Sequence, residues 1–455
     1  MLHLIDYLPA FMFVALAILL FCGYPVAFVL GGIGLTFGFI GMYFDVFSFI
    51  QFFNLAPRIW GGIGENLVLT AIPMFIFMGT MLERSGIAND LLHCLQILLR
   101  RVPGGLALSV TVMGTIMAAT TGIIGASVVM MTLLALPVMV KRSYNIPLAT
   151  GTIAASGTLG ILIPPSIMLV IMADLLARSV GNLFVAAIVP GFLLAGFYMI
   201  YILIICRLRP NLAPPLPDAS GPQSTAALAV MVLRSFIPPL FLIFLVLGSI
   251  LFGWATPTEA AGVGAAGAFL LAVVGRKLTW AVMKDVVERS ALTGAMLFGI
   301  FLGATCFSYV FRSLGGDDMV IGTVESLGLG SWGLLILLMA LVFFLGFFFD
   351  WIEITLIVLP VFAPIIELLD FGNHVMPREM VYWFAILMAV NLQTSFLTPP
   401  FGFALFYLKG VAPPEVRIEQ IYKGIVPFVI LQLCGLGLVM AFPELALWLP
   451  RLLLE

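Results

Sequence analysis

The sequence predicts an all-α polytopic membrane protein made of inverted repeats, each with a re-entrant helical hairpin and a broken helix. Three observations carry that expectation. Of 455 residues, 62% are hydrophobic and only 9% charged, against the roughly 25% charged residues of a soluble domain. Apolar excursions at 104–140 and 332–368 are each interrupted midway. Each is followed by a further apolar stretch divided by a proline pair, Pro164-Pro165 and Pro399-Pro400. At about 20 residues per crossing, the apolar content has room for at most about 14 crossings.

Several function classes fall away at once. With 22 acids against 20 bases the net charge is −2, which leaves no basic surplus for nucleic acid. Cys22, Cys94, Cys206, Cys306 and Cys434 are scattered through apolar segments without a CxxC pair and read as small buried hydrophobes. No HExxH, GxxxxGK[ST] or GxSxG string occurs, so neither a zinc enzyme nor a Walker-type ATPase is expected within this chain. An intramembrane enzyme needs a nucleophile with a base, or paired metal ligands, at one depth, and His3, His93 and His374 lie far apart. The chain reads as no enzyme.

In order along the chain, apolar runs at 4–22 and 24–43 meet at a turn, Gly23-Tyr24-Pro25. The run from Leu8 to Ile40 stays apolar well past Ala15-Leu16-Ala17 and reads as retained membrane structure. Between Asp45 and Asn66, Phe49, Phe52, Phe53, Leu55, Ile59 and Trp60 suit an amphipathic arm along the interface. A span at 66–83 ends at Glu83-Arg84, and 86–101 reads as a second interfacial helix closed by Arg100-Arg101. The excursion from Gly104 to Val140 breaks near Thr120-Thr121-Gly122 and Gly125-Ala126-Ser127. Halves of about 15 residues are too short to span, so a hairpin is expected, leaving at Lys141-Arg142 on the side it entered.

Residues 147–177 are divided at Ile163-Pro164-Pro165-Ser166, because proline removes donors and blocks the preceding turn. A crossing at 183–206 ends in Arg207 and Arg209, and the proline-rich stretch 210–225 is the one clearly hydrophilic loop. Spans at 229–251, 255–275 and 290–312 follow. A second hairpin at 332–368 turns at 345–350, and a second broken helix at 379–411 divides at Thr398-Pro399-Pro400. An amphipathic stretch 413–423 and a final span 424–448 close the chain.

The repeat is visible in the letters. MTLLALPV at 131–138 lies over ITLIVLPV at 354–361, and the offset of 223 that takes Thr132 onto Thr355 also takes Ser127 onto Asp350. The proline pairs follow at an offset of 235, so twelve residues are inserted near 369–380. If Arg100-Arg101, Lys141-Arg142, Arg207/Arg209 and Arg276-Lys277 are all cytoplasmic, the hairpins enter from opposite sides and both termini lie outside.

Irregular backbone survives in hydrocarbon only around a polar cavity. Two tips facing two breaks bring helix ends, which attract an anion, and freed carbonyls, which ligate a cation, to the membrane middle. That is the arrangement of an ion-coupled secondary transporter, and carbonyl-rich breaks suit sodium better than a proton. Ser127, Ser166, Asp350, Asn391 and Thr394 are the candidate substrate contacts. For Thr120, Thr121 and Ser127 the competing reading is hydrogen bonding back onto their own helix. Asp350 is equally suited to capping the returning helix; Glu353 reads as structural. Asn391, Gln393, Thr394 and Ser395 form a cluster too polar for a lipid face. Arg178, Arg234 and Arg312 read as interfacial anchors, and His374 as an exposed surface residue.

GTLGILIPPS at 157–166, LTPPFG at 397–402 and GENLVLTAIPMFIFMGTMLERSGI at 64–87 resemble the large membrane subunit of tripartite ATP-independent periplasmic (TRAP) transporters over nearly the whole chain. The resemblance implies an elevator-type transport domain working against a scaffold in the bacterial inner membrane. On that division, 1–103 is scaffold and interfacial arm, and 104–182 is the first half of the transport domain. Residues 183–331 are scaffold with the hydrophilic linker 210–228, 332–412 is the second half of the transport domain, and 413–455 is a C-terminal interfacial and scaffold helix. The implied partners are a small four-helix membrane subunit and a periplasmic substrate-binding protein that delivers an organic acid.

Sodium (Na+) is the implied coupling ion. Carried over, one sodium has carbonyl ligands at Thr121, Ile124, Gly160, Ile163 and Pro165, and a second is held at Gly346, Ser395, Thr398 and Phe401. The family's first tip is usually serine-rich where this chain has Thr121-Gly122-Ile123-Ile124, a change that leaves backbone carbonyls in place. FFFDWIE at 347–353 and the long loop after Pro360 resemble the branch handling 2-oxo acids or similar monocarboxylates, with dicarboxylates the other class. The alternative is a stand-alone sodium- or proton-coupled di- or tricarboxylate carrier that needs no receptor.

Overall fold

A computed structural model describes residues 6–121, 124–215, 224–367, 369–400 and 402–454. All regular structure among them is helical. α1 (Leu8–Phe21) and α2 (Val26–Tyr43) meet at Gly23, whose φ of +82° is a left-handed turn that glycine adopts without a Cβ clash. The arm is two short helices, Phe49–Phe53 and Leu55–Ile59, and a π turn, Trp60–Gly64. Phe49, Phe53 and Trp60 are exposed and Leu55 is buried, as an element lying in the interface requires. α3 (Ala71–Arg84) and α4 (Ile87–Leu98) are joined through left-handed Gly86.

The first hairpin is α5 (Gly105–Thr121) and α6 (Ile124–Lys141), and the first broken helix is α7 (Ile146–Thr158) and α8 (Ile167–Leu175). α9 (Val180–Leu208), α10 (Thr225–Leu251), α11 (Pro257–Val274) and α12 (Trp280–Ser313) follow. α13 (Gly316–Ser326) leads into the second hairpin, α14 (Ser331–Leu345) and α15 (Trp351–Glu367), then the second broken helix, α16 (Met380–Ser395) and α17 (Phe403–Val411). α18 (Ile418–Ala441) and α19 (Glu444–Leu454) end the chain. Eight of the described helices, or nine if the α13–α14 pair counts as one span, are long and apolar enough to cross a bilayer.

α9 shows that the repeats are inverted. At its C-terminal end, Gly104 N–H donates to Ala213 O (3.3 Å) and Asn145 N–H to Leu212 O (2.8 Å), so both mouths of the first hairpin lie there. At its N-terminal end, Arg178 pairs with Glu367 at 2.7 Å, which places the close of the second hairpin at the opposite pole. A 29-residue helix separates them, about 43 Å at 1.5 Å per residue. The basic residues Arg100, Arg101, Lys141, Arg142, Arg207 and Arg209 therefore gather at one pole, the cytoplasmic one by the charge rule.

Two boundaries, one helix and one side chain differ from the sequence expectation. α12 starts at Trp280, ten residues early, because Thr279 caps it and Asp285 pairs with Arg84 (2.7 Å) and Arg289 (3.0 Å). Those solvated first turns carry too much charge to register as a span. α13 was not anticipated; it is turned 120° from α14 and is introduced by left-handed Gly315, as Gly86 introduces α4. The last span is 418–441 rather than 424–448, stopped at Phe442-Pro443. Beyond it, α19 is tied down by Arg451, which bridges Glu379 (2.6 Å) and Glu444 (2.8 Å); the Glu379 hydrogen bond foremost holds the guanidinium above its ordinary pKa. His374 is not an exposed surface residue: it is half-buried, 2.8 Å from Met440 O, with its ring against Trp332 and Trp383.

The hairpins and broken helices, α5–α8 and α14–α17, pack on one another and on α9 and α18. They also pack on the surrounding helices, α5 against α3, α4 and α10, and α15 against α12. Among those, α12 packs on α2 and α3, and α11 on α3 and α10. Glycines set the closest approaches: a Cβ on Gly303 of α12 would lie 2.3 Å from Ala27 O of α2.

Candidate functional site

The second tip and second break are in direct contact. α14 ends at Gly346, and a Cβ added there would lie 2.6 Å from Ser395 Oγ and 3.1 Å from Ser395 Cα. Only glycine lets these two backbones meet. The Ser395 hydroxyl is buried with no hydrogen-bond partner, and no described backbone N–H reaches the Gly346 carbonyl. Ser395 Oγ is one of several buried polar atoms without a partner among the described residues, and a partnerless hydroxyl at a contact with a carbonyl that no backbone N–H reaches suits a small cation. One turn on, Thr398 Oγ1 donates to Thr394 O at 2.6 Å, which leaves the hydroxyl's lone pairs open. Phe401 lies outside the described residues.

At the first break, Leu159–Ile161 tightens into a 3-10 turn, and the chain restarts as α8 at Ile167. Ser166 caps α8, and its hydroxyl donates to Ile161 O. No described backbone donor reaches the carbonyls of Ile163 and Pro165. Gly160, Ile163 and Pro165 are buried, and the 3-10 turn packs on both arms of the first hairpin. Ile124, the first described residue past that tip, begins α6; the Thr121 side chain and Gly122-Ile123 lie outside the described residues. Both proline pairs are joined by cis peptide bonds.

The tips and breaks border one cavity of about 580 Å³, within the range of small-molecule sites. Ile124 and Gly125 enter it from the first tip, Asp350 to Glu353 from the second, Ile167 from the first broken helix, and Phe396, Phe403 and Tyr407 from the second. Its far wall is α2 (Val26–Phe28) with α12 (Thr293–Ile300). Gly125 sits so close to Tyr407 that an added Cβ would lie 3.0 Å from its ring.

Of the five sequence-derived substrate contacts, Asp350 lines this cavity and the other four do not. Asp350 also caps α15: its Oδ1 accepts from Trp351 N–H at 2.7 Å, and Glu353 accepts from Asp350 N–H at 3.2 Å. Asp350 thus stands both at the cavity wall and at the start of α15, and Glu353 bonds back to the Asp350 backbone. Asn391 Nδ2 donates to Met339 O at 2.7 Å, tying α16 to α14, and Thr394 Oγ1 donates to Asn391 O. Asn391 Oδ1 and both polar atoms of Gln393 are buried without partners. Ser127 is buried on α6. Sequence reading missed Thr293 and Tyr407; Tyr407 was legible as the polar aromatic one turn after Phe403, whereas nothing marked Thr293 before α12 was placed.

A family model described as tripartite ATP-independent periplasmic transporter, DctM component, matches residues 13–445. The C4-dicarboxylate TRAP transporter large permease protein DctM of Pseudomonas aeruginosa is 31% identical over 388 residues, 85% of this chain and 87% of that protein. The sialic acid TRAP transporter large permease protein SiaM of Vibrio cholerae is 28% identical over 438 residues, 96% of this chain and 97% of that protein. Among solved structures, the YdaH transporter of Alcanivorax borkumensis has a TM-score of 0.58 at 17% identity, covering 89% of this chain and 90% of that one, a likeness of fold alone. Matched over nearly all of its length and built from membrane-spanning helices, the chain is an integral inner-membrane protein and belongs to the DctM-component family of tripartite ATP-independent periplasmic transporters.

Proposed function

We propose that this chain is the transport subunit of a sodium-coupled importer of organic acids. The observation that carries the reading is the contact of Gly346 with the buried, partnerless Ser395 hydroxyl, where an inverted tip meets a break beside the cavity. One sodium binds there with Thr398 and Phe401, and a second between the first tip and first break at the carbonyls of Thr121, Ile124, Gly160, Ile163 and Pro165. Coupling then has a simple electrostatic origin. A carboxylate entering a cavity bordered by Asp350 is repelled, and a cation bound near Gly346, four residues before Asp350, offsets that repulsion. Neither ligand binds well without the other.

The relatives are named for C4-dicarboxylates and sialic acid, and the substrate class here is a small carboxylate, a dicarboxylate or a 2-oxo acid. A periplasmic binding protein delivers it, and a small four-helix membrane subunit completes the third component. Residues 104–182 and 332–412 move as the transport domain against the scaffold formed by 1–103, 183–331 and 413–455. In proteoliposomes holding this chain, the small subunit and a cognate receptor, uptake of labelled succinate, pyruvate or sialic acid is expected only under an inward sodium gradient. Uptake driven by ATP without sodium would overturn the coupling, and sodium-driven uptake by this chain alone would replace the tripartite reading with a stand-alone carrier.

A further inference from the structure

A second cavity, about 400 Å³, lies end to end with the first along the seam between α12 and α15. On α12 the face that lines the first cavity, Thr293 to Ile300, continues into Phe301, Thr305, Ser308, Tyr309 and Arg312 of the second. On α15, Ile352 borders the first and Leu356, Pro360 and Glu367 the second. Ile300 and Phe301 stand at the boundary. The second cavity lies toward the pole of Arg178 and Glu367, away from the basic cluster, and so on the periplasmic side.

Its lining offers several hydrogen-bond donors without a protein acceptor. Arg58 rests on the Tyr309 ring, 4.7 Å from the centroid, with no carboxylate in ion-pair range among the described residues. Tyr309 OH accepts from Asn54 Nδ2 at 3.3 Å, which leaves its own O–H to donate. Ser308 has no hydrogen-bond partner among the described residues. Arg312 is placed by a defect in α15: Pro364 has no N–H, so Pro360 C=O loses its helical donor, and Arg312 Nη2 fills it at 2.6 Å. Asp317 is 3.7 Å from Arg312, and the acid in the lining, Glu367, is neutralised by Arg178. Guanidinium and hydroxyl donors converging on open space fit an acceptor-only anion, for which a carboxylate is the matching group.

We propose that this outer cavity is a second carboxylate site, filled between delivery from the periplasm and passage of the Ile300–Phe301 partition into the central cavity. The inference rests on the organic-acid reading above. It is tested in the full chain carrying Ser308→Cys, in reconstituted membranes, by comparing anionic sulfonatoethyl and cationic trimethylammonioethyl methanethiosulfonates, with the chain lacking Ser308→Cys subtracted for its native cysteines. The anionic reagent is expected to react at least about fivefold faster than its ratio with a free thiol allows. Arg58→Gln abolishes that preference, Arg58→Lys retains it, and millimolar succinate or pyruvate slows modification. Absence of a charge preference, or a preference that survives Arg58→Gln, overturns the site. The organic-acid reading is judged separately, by sodium-driven uptake in the parent protein, so that failure of one is distinguishable from failure of the other.

Discussion

Gly346→Val is expected to reduce sodium-driven uptake more than any other single change considered in these helices. A Cβ at that position would sit 2.9 Å from Ser395 Cβ and 3.1 Å from Ser395 Cα, so no side-chain rotation relieves the clash, and the second tip must withdraw from the break. Overpacking of this kind costs about 1–3 kcal/mol, roughly a 5- to 150-fold loss if it falls on the ion-bound state. The matched variant Ser395→Ala keeps the shape and removes one oxygen. Folding should be unaffected while the sodium concentration for half-maximal uptake rises several-fold, and Thr398→Ala should act in the same direction. Initial rates across a sodium series separate the two effects. Unchanged sodium activation in all three variants would remove these positions from the site.

The largest stability effect is expected where α7 crosses α18. A Cβ on Gly151 would lie 2.1 Å from Gly424 O, and one on Gly424 would lie 2.1 Å from Pro147 O. These are backbone atoms, so alanine at either position forces the helices apart and opens the contact of the first broken helix with its support. A loss on the order of 3 kcal/mol is expected for Gly424→Ala, read as a lower unfolding temperature in detergent. Gly437, on the same helix, has nothing within 4 Å of an added Cβ, and Gly437→Ala should unfold at the parent temperature. Equal unfolding temperatures for Gly424→Ala and Gly437→Ala would show that the two backbones are not held in contact at this crossing.

The architecture was legible in the sequence because its main devices are covalent or compositional. Proline pairs break helices by removing N–H groups, glycines mark turns, and paired arginines mark the cytoplasmic pole, so both hairpins, both broken helices and the inversion could be read from letters. What escaped was set by tertiary contact. The first turns of α12 are polar in sequence and became a helix through Thr279 and the Arg84–Asp285 pair. His374 was read as exposed because its loop is long, and its burial comes from an aromatic nest of Trp332 and Trp383. The site was only half legible. The Gly346–Ser395 meeting depends on close approach across 49 positions of chain, which spacing does not encode. Asn391 and Thr394 looked like substrate contacts by polarity, yet their bonds run to Met339 O and Asn391 O. In the outer cavity, Arg312 read as a membrane anchor until the Pro360 carbonyl gave it a partner.

The central claim is that an inverted tip and a break together hold a sodium ion, and ion-dependent stability tests it most directly. A ligand that binds only the folded state stabilises it by RT ln(1 + [L]/Kd), about 2.7 kcal/mol at a concentration of 100 Kd. Thermal unfolding of the full chain in nanodiscs should therefore rise when choline is replaced by sodium at constant ionic strength. In Gly346→Val and Ser395→Ala the rise should be reduced. A parent protein whose unfolding temperature is the same in sodium and choline would contradict the account.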